Sequence, residues 1–170
     1  MAKNRVSTAK KFAQIEKISI AGITERMGPL GLHMYAKAYL EGACALPLKS
    51  VPFEPVYPFL VCHSIELGLK AFLSLKGAAM VELADGSYGH NLEAILQKAE
   101  EKHLSKHVKL TLEHKAEVRK ASLYYSGKVF EYPAVGEALS GYPSMPKIDI
   151  LITVAELLVT SLSKECEEAK

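Results

Sequence analysis

The sequence has no pairable set of cysteines, no strong charge of either sign and, near its C-terminus, no apolar run long enough to cross a membrane. Cys44, Cys62 and Cys166 are odd in number and lack CxxC spacing, which excludes a disulfide framework and leaves small, reduced hydrophobes of a cytosolic protein. With 21 Lys and Arg against 19 Asp and Glu, the net charge of +2 gives no summed field to recruit nucleic acid. Any anion site must therefore be local. The opening text, MAKNRVSTAKKFAQIEKISIAG, is basic but lacks the apolar run of a secretory signal. The apolar run from Ile148 to Leu162 contains Asp149 and Glu156 and falls short of about 20 residues, so it predicts a core helix and no membrane segment. No GxGxxG, P-loop, HExxH or nucleophile-elbow text occurs, which excludes Rossmann-type and P-loop readings. No stretch alternates apolar and polar residues between regular turns, so a β-sandwich is not expected.

What the chain does contain is helical periodicity in a length suited to one core. Residues 1–28 are expected to be weakly structured, with Phe12, Ile15 and Ile18 sharing the face of a short helix that Met27-Gly28-Pro29 breaks. A bundle domain follows over 29–168. Leu32, Tyr35, Ala36, Tyr39, Leu40, Ala43 and Leu46 form the stripe of a first core helix ending at Pro47. Pro52, Pro55 and Pro58 then forbid helix, and Pro58 is placed to open the next one. Asn91 is placed to cap a helix buried through Leu92, Ile95, Leu96 and Ala99. A fourth helix over 111–125 would bury Leu112, Ala116, Val118 or Arg119, and Leu123, and its Glu113 and Glu117 form an unfavourable i, i+4 pair. The segment 126–147, rich in Gly and Pro, reads as a long functional loop before a last helix over 146–164. The fold class is therefore all-α, a single-domain bundle of about five helices. The apolar last helix is the natural surface for a second copy.

The central helix, from Phe59 to Gly77, is apolar almost all round except for one seam of His63, Glu66, Lys70 and Ser74. Glu66 and Lys70 form an i, i+4 pair with the acid first. The seam is either a paired structural network or an anion or nucleotide groove in which Lys70 supplies charge and His63 carries a proton. His90, just before a helix start, is either a loop-packing residue or a ligand. His103 and His107 have a zinc-compatible i, i+4 spacing but no third ligand in register, so they read as a solvated face. Arg119, near Tyr124 and Tyr125, suits either phosphate and base contact or the capping of loop carbonyls.

The run PFLVCHSIELGLKAFLSLKG, followed by YGHNLEAILQKAEE, resembles the Glu-x3-Lys helix and the Gly-His-x-Leu helix start of HEPN domains. The resemblance covers residues 56 to about 104. It implies a helical bundle, frequently a two-fold dimer, tied to nucleotides or RNA. Many such proteins are metal-independent ribonucleases carrying an Arg and a His separated by four to six residues, and some are toxins or partners of minimal nucleotidyltransferases. In this chain the positions after Arg119 that should hold the His are Leu123, Tyr124, Tyr125 and Ser126. Arg26 and His33 have the spacing, but Gly28, Pro29 and Gly31 lie between them. Cleavage without a metal needs a base and an acid, and an unperturbed Tyr is a poor substitute.

The expected function is a HEPN-like, cytoplasmic, homodimeric module that binds a nucleotide, RNA or a protein partner without intact ribonuclease activity. His63, Glu66, Lys70, His90, Arg119, Tyr124 and Tyr125 are its groove candidates. No catalytic residue, cofactor or metal-ligating set is assigned, and no membrane contact is expected. A nucleotidyltransferase or an antitoxin is the protein partner that the resemblance suggests. The alternatives are a divergent metal-independent ribonuclease, acting as the toxin of a toxin-antitoxin or defence system, and a structural or regulatory dimer.

Overall fold

Gly28 and Pro29 stop the chain from extending a helix backwards and start one forwards, because proline at the first helical position has no N–H to leave unsatisfied. In the computed structural model, which describes residues 28–47, 54–84, 88–132, 136, 141–142 and 145–169, that helix is α1 (Pro29–Ala45). It is followed by α2 (Val56–Leu75), α3 (Met80–Ala84), α4 (Leu92–Glu101), a 3-10 turn (Leu104–Lys106), α5 (Leu112–Ser126) and α6 (Ile148–Glu168). Among the described residues there is no strand, and the protein is an all-α bundle. The expected weak structure of 1–27 and positions 133–135, 137–140 and 143–144 of the loop over 126–147 lie outside the described residues.

The centre of the bundle is α2, which packs against α1, α4, α5 and α6. Its near-continuous apolar text leaves no broad face for solvent, and most of its residues between Pro58 and Leu73 are buried, among them Val61, Ile65, Leu69 and Phe72. Among the described residues it is the one helix long and apolar enough to cross a membrane by length and composition, and 72% of that window is buried inside the bundle. The helix begins two residues earlier than Pro58, at Val56. Pro58 is still tolerated, because the first intrahelical bond runs from Phe59 N–H to Pro55 O at 3.1 Å and proline precedes it. At the other end Gly77 adopts φ 86°, a left-handed conformation that glycine enters without steric cost. It lets Gly77 N–H reach Ser74 O and Ala78 N–H reach Leu73 O, each at 3.0 Å, which closes the helix.

The periodic stripes hold in α1, where Leu32, Ala36, Leu40 and Ala43 are buried, and in α4, where Leu92, Ile95, Leu96 and Ala99 are buried. Asn91 caps α4 by accepting Ala94 N–H at 3.1 Å. Of the stripe expected for α5, only Val118 is buried. Leu112 is 85% exposed and Leu123 67% exposed, while Glu117, Val118, Ala121, Ser122, Tyr124 and Tyr125 face inward. Two adjacent aromatics carry more buried area than two leucines, and the small Ala121 and Ser122 let α5 lie close to α4. Ser122 Oγ accepts Glu93 N–H at 3.1 Å and donates to Asn91 Oδ1 at 3.3 Å.

Turning α5 this way also resolves the Glu113–Glu117 pair. Glu117 accepts Lys120 Nζ at 2.7 Å and the Lys147 backbone N–H at 2.9 Å, while Lys147 Nζ reaches Glu113 at 3.0 Å. Glu117 thereby caps α6, whose own N-cap side chain makes no capping bond. Burial raises the Glu117 carboxyl, but the bonds from Lys120 and Lys147 outweigh it and hold it below the usual carboxylate range. A depressed acid stabilises the fold fully above its unfolded pKa, ~4.3, and loses that contribution as pH falls. Glu117→Gln is therefore expected to unfold at a lower denaturant midpoint near neutrality and to show a shallower loss of stability on acidification than wild type. Parallel slopes for the two proteins would refute it.

The buried face of α6, with Leu151, Val154, Ala155, Leu158, Val159 and Leu162, packs inside the bundle against α1, α2 and α5. The face expected to receive a second copy is thus already used. The buried His33 ties α1 to α6 through its Nε2 and Val159 O at 2.7 Å. All three cysteines are free; Cys62 and Cys166 are buried and Cys44 is exposed. Burial pushes the Cys166 thiol up to about 11 and raises that of Cys62 further, so neither is a ready thiolate.

Candidate functional site

One carboxylate collects most of the groove candidates. Glu66, 3% exposed on α2, accepts Lys70 Nζ on Oε1 at 2.6 Å, one turn along the same helix. On Oε2 it accepts the Tyr125 hydroxyl at 2.7 Å and His90 Nδ1 at 3.0 Å. His63 Nδ1 lies 2.6 Å from the Tyr125 oxygen and 3.5 Å from Oε2, so its main route to the carboxylate runs through the phenol. Among the described residues no buried polar side-chain atom is left without a partner.

Burial alone would raise the Glu66 carboxyl. The His63 contact, the Lys70 charge and hydrogen bond, and the Tyr125 hydroxyl together outweigh it and hold the group well below the usual carboxylate range. Tyr125 moves the other way, raised by burial and by the Glu66 charge, and stays a phenol. These two states fix the protons. An ionised carboxylate only accepts, so His90 donates from Nδ1 to Glu66. Tyr125 has a single hydroxyl proton and donates it to Glu66, so His63 donates from Nδ1 to the phenolic oxygen. In the neutral rings both Nε2 atoms are then acceptors, and among the described residues neither has a hydrogen-bond partner.

The rings are also held by their faces. Phe59 stacks on His63 with centroids 5.8 Å apart and planes within 8°, and Tyr39 meets its edge at 4.4 Å. His90 meets Tyr125 edge to face at 5.0 Å, and the two imidazole centroids are 6.3 Å apart. His90 adopts φ 56°, a left-handed conformation that costs about 1 kcal/mol or more outside glycine. Its contacts to Glu66 and Tyr125 hold it there. The His63 and His90 side chains remain 20% and 39% exposed, so the cluster opens to solvent on the imidazole side. Beside it lies an open recess of about 320 Å³ lined by Val56, Phe59, Phe130, Glu131 and Tyr132.

His63, Glu66, Lys70, His90 and Tyr125 are thus brought together, and Arg119 and Tyr124 are not part of these contacts. Arg119 precedes Tyr125 by about 9 Å along the helix axis. It is half-exposed and approaches Glu93 and Glu100 of α4 at 3.9 and 3.8 Å. Tyr124 stacks on Phe130 at 6.0 Å. His103 and His107 do not share a helix face, because His103 turns the chain at φ 63°. His107 lies 2.7 Å from Glu165 and 3.0 Å from Lys76 Nζ. Sequence reasoning missed Tyr39 and Phe59, although Phe59 stands four residues before His63, the spacing at which helical side chains meet. No family model, curated protein or solved structure matches the chain.

Proposed function

We propose that this bundle is a HEPN-like module that binds a nucleotide or single-stranded RNA in the aromatic recess beside Glu66. The observation that carries the reading is the position of Phe59, which both lines the recess and stacks on His63. One aromatic surface therefore runs from an open cavity large enough for a base to two imidazoles held in fixed orientation. Lys70 is committed to Glu66 and Arg119 to acidic partners, so stacking is the dominant source of affinity. A homodimer belongs to the same proposal and would use a face other than the buried one of α6.

Titrating a labelled single-stranded RNA and following its fluorescence anisotropy tests the reading. Stacking is worth about 1–3 kcal/mol per base, so Tyr132→Ala and Phe59→Leu are each expected to weaken binding about tenfold or more. Tyr132 is 64% exposed, so its loss should leave folding intact. Arg119→Ala should bind as wild type, with a shallow dependence on salt. Absence of binding to wild type, or equal binding by both aromatic variants, would end the proposal.

A second reading, metal-independent RNA cleavage, is favoured by the two Nδ1-anchored imidazoles with adjacent acceptor nitrogens. One ring would take the 2′-hydroxyl proton while the other, protonated, would give a proton to the leaving oxygen, each worth about 10²–10⁴ in rate. Cleavage in EDTA that is lost in both His63→Ala and His90→Ala would support it. Uncut RNA would leave the binding module alone.

A further inference from the structure

We propose that His63, Glu66 and His90 form a binding site for a divalent transition-metal ion such as Zn²⁺. The proposal is independent of the nucleotide reading. One ring nitrogen of His63, one of His90 and one Glu66 oxygen all lie within 4.8 Å of one another. The two Nδ1 atoms stand 3.5 and 3.0 Å from Oε2. A tetrahedral ion with bonds of about 2.0–2.1 Å separates its ligands by about 3.3–3.4 Å, so two edges of the triangle are already near ligating length. The third is set by the rotation of two partly exposed rings. Two imidazoles and one carboxylate are a donor set that suits zinc and its neighbours, with the remaining positions left to water.

The backbone supports this arrangement from two sides. His63 and Glu66 stand one turn apart on α2, while His90 enters from the left-handed residue just before the α4 cap. Glu66 is held in place by Lys70 on Oε1 and by the Tyr125 hydroxyl on Oε2, outer contacts of the kind that orient metal-binding carboxylates. Lys70 also opposes the ion, because its ammonium sits on the same carboxylate. Removing that charge should tighten binding. Coordination through Nδ1 requires each neutral ring to carry its proton on Nε2 instead, an exchange that water at the open side supplies without net proton release. In the absence of an ion the same atoms form the hydrogen-bonded cluster described above, so ion and cluster protons are alternatives at one place.

The test uses the untagged full chain, stripped with EDTA and dialysed, titrated with Zn²⁺ alone by calorimetry and with Co²⁺ by visible absorption. One ion per chain is expected, with the intense visible bands of low-coordinate Co²⁺. His90→Ala and His63→Gln should each weaken binding at least tenfold, His114→Gln should not, and Lys70→Gln should tighten it. Circular dichroism of each variant confirms that the fold persists. No bound Zn²⁺, unchanged affinity in both cluster histidine variants, or loss confined to His107→Ala would overturn the proposal. RNA binding measured in EDTA keeps the two readings apart, since its survival alongside absent Zn²⁺ binding removes only the metal site.

Discussion

Glu66→Ala is expected to lower the stability of the protein by about 3–5 kcal/mol, the range seen when one member of a buried ion pair is removed. The loss does not come from the Glu66–Lys70 attraction alone. Lys70 is 7% exposed and would be left as a buried cation with no counter-charge, while the Tyr125 hydroxyl and His90 Nδ1 would lose their acceptor. For a chain of 170 residues, about 2–4 °C of melting temperature accompanies each kcal/mol, so a fall of roughly 6–20 °C should appear in a thermal scan. Glu66→Gln keeps the shape and can still accept from Tyr125, so it should fall between wild type and Ala. The double change Glu66→Leu with Lys70→Met removes both charges and is expected to cost less than Glu66→Ala. If the double change is the more damaging of the two, an unpaired buried charge is not what Glu66 prevents.

Gly68→Val should be nearly as damaging, for a purely steric reason. A Cβ at residue 68 would lie 3.1 Å from the Leu158 Cβ, where α2 crosses α6. Neither atom moves without its own backbone, so rotamer changes cannot relieve the contact. Glycine inside a helix normally costs about 0.5–1 kcal/mol relative to alanine, and replacing it would ordinarily stabilise. Here the overlap outweighs that gain, and the two methyls of valine add further overpacking, for an expected loss of about 2–3 kcal/mol in urea denaturation. Gly68→Ala should be milder, with the overlap and the helix preference opposing each other. A stabilised Gly68→Val would mean that α2 and α6 are not in close contact.

Much of the bundle was legible because helix signals are local. The stripes of α1 and α4, the Asn91 cap and the Glu66–Lys70 pair all lie within a few turns of chain. The face of α5 was not, because local periodicity weighs Leu112 and Leu123 without knowing that Tyr124 and Tyr125 pack into the bundle. Glu117 looked like half of a repulsive pair for the same reason, since its partner Lys147 N–H arrives from 30 residues away. The site divides along the same line. His63, Glu66 and Lys70 share a helix and were found by spacing. His90, 24 residues from Glu66, was singled out by its place before a helix start and joined to the groove only through the family resemblance, and the role of Tyr125, 59 residues away, depends on how α5 is rotated. Arg119 was placed in the groove by its tyrosine neighbours in sequence, whereas Glu93 and Glu100 draw it toward α4. A metal set was not expected because its three donors are split between α2 and the turn before α4.

The central claim is that buried, ionised Glu66 sets the proton positions of the cluster. Imidazole nitrogen NMR on the metal-free protein measures this directly. His63 and His90 are predicted to populate the Nδ1–H tautomer, with unprotonated Nε2, and both should depart from that pattern in Glu66→Ala. If instead both rings carry their proton on Nε2, or keep the same pattern before and after the substitution, Glu66 does not organise the site.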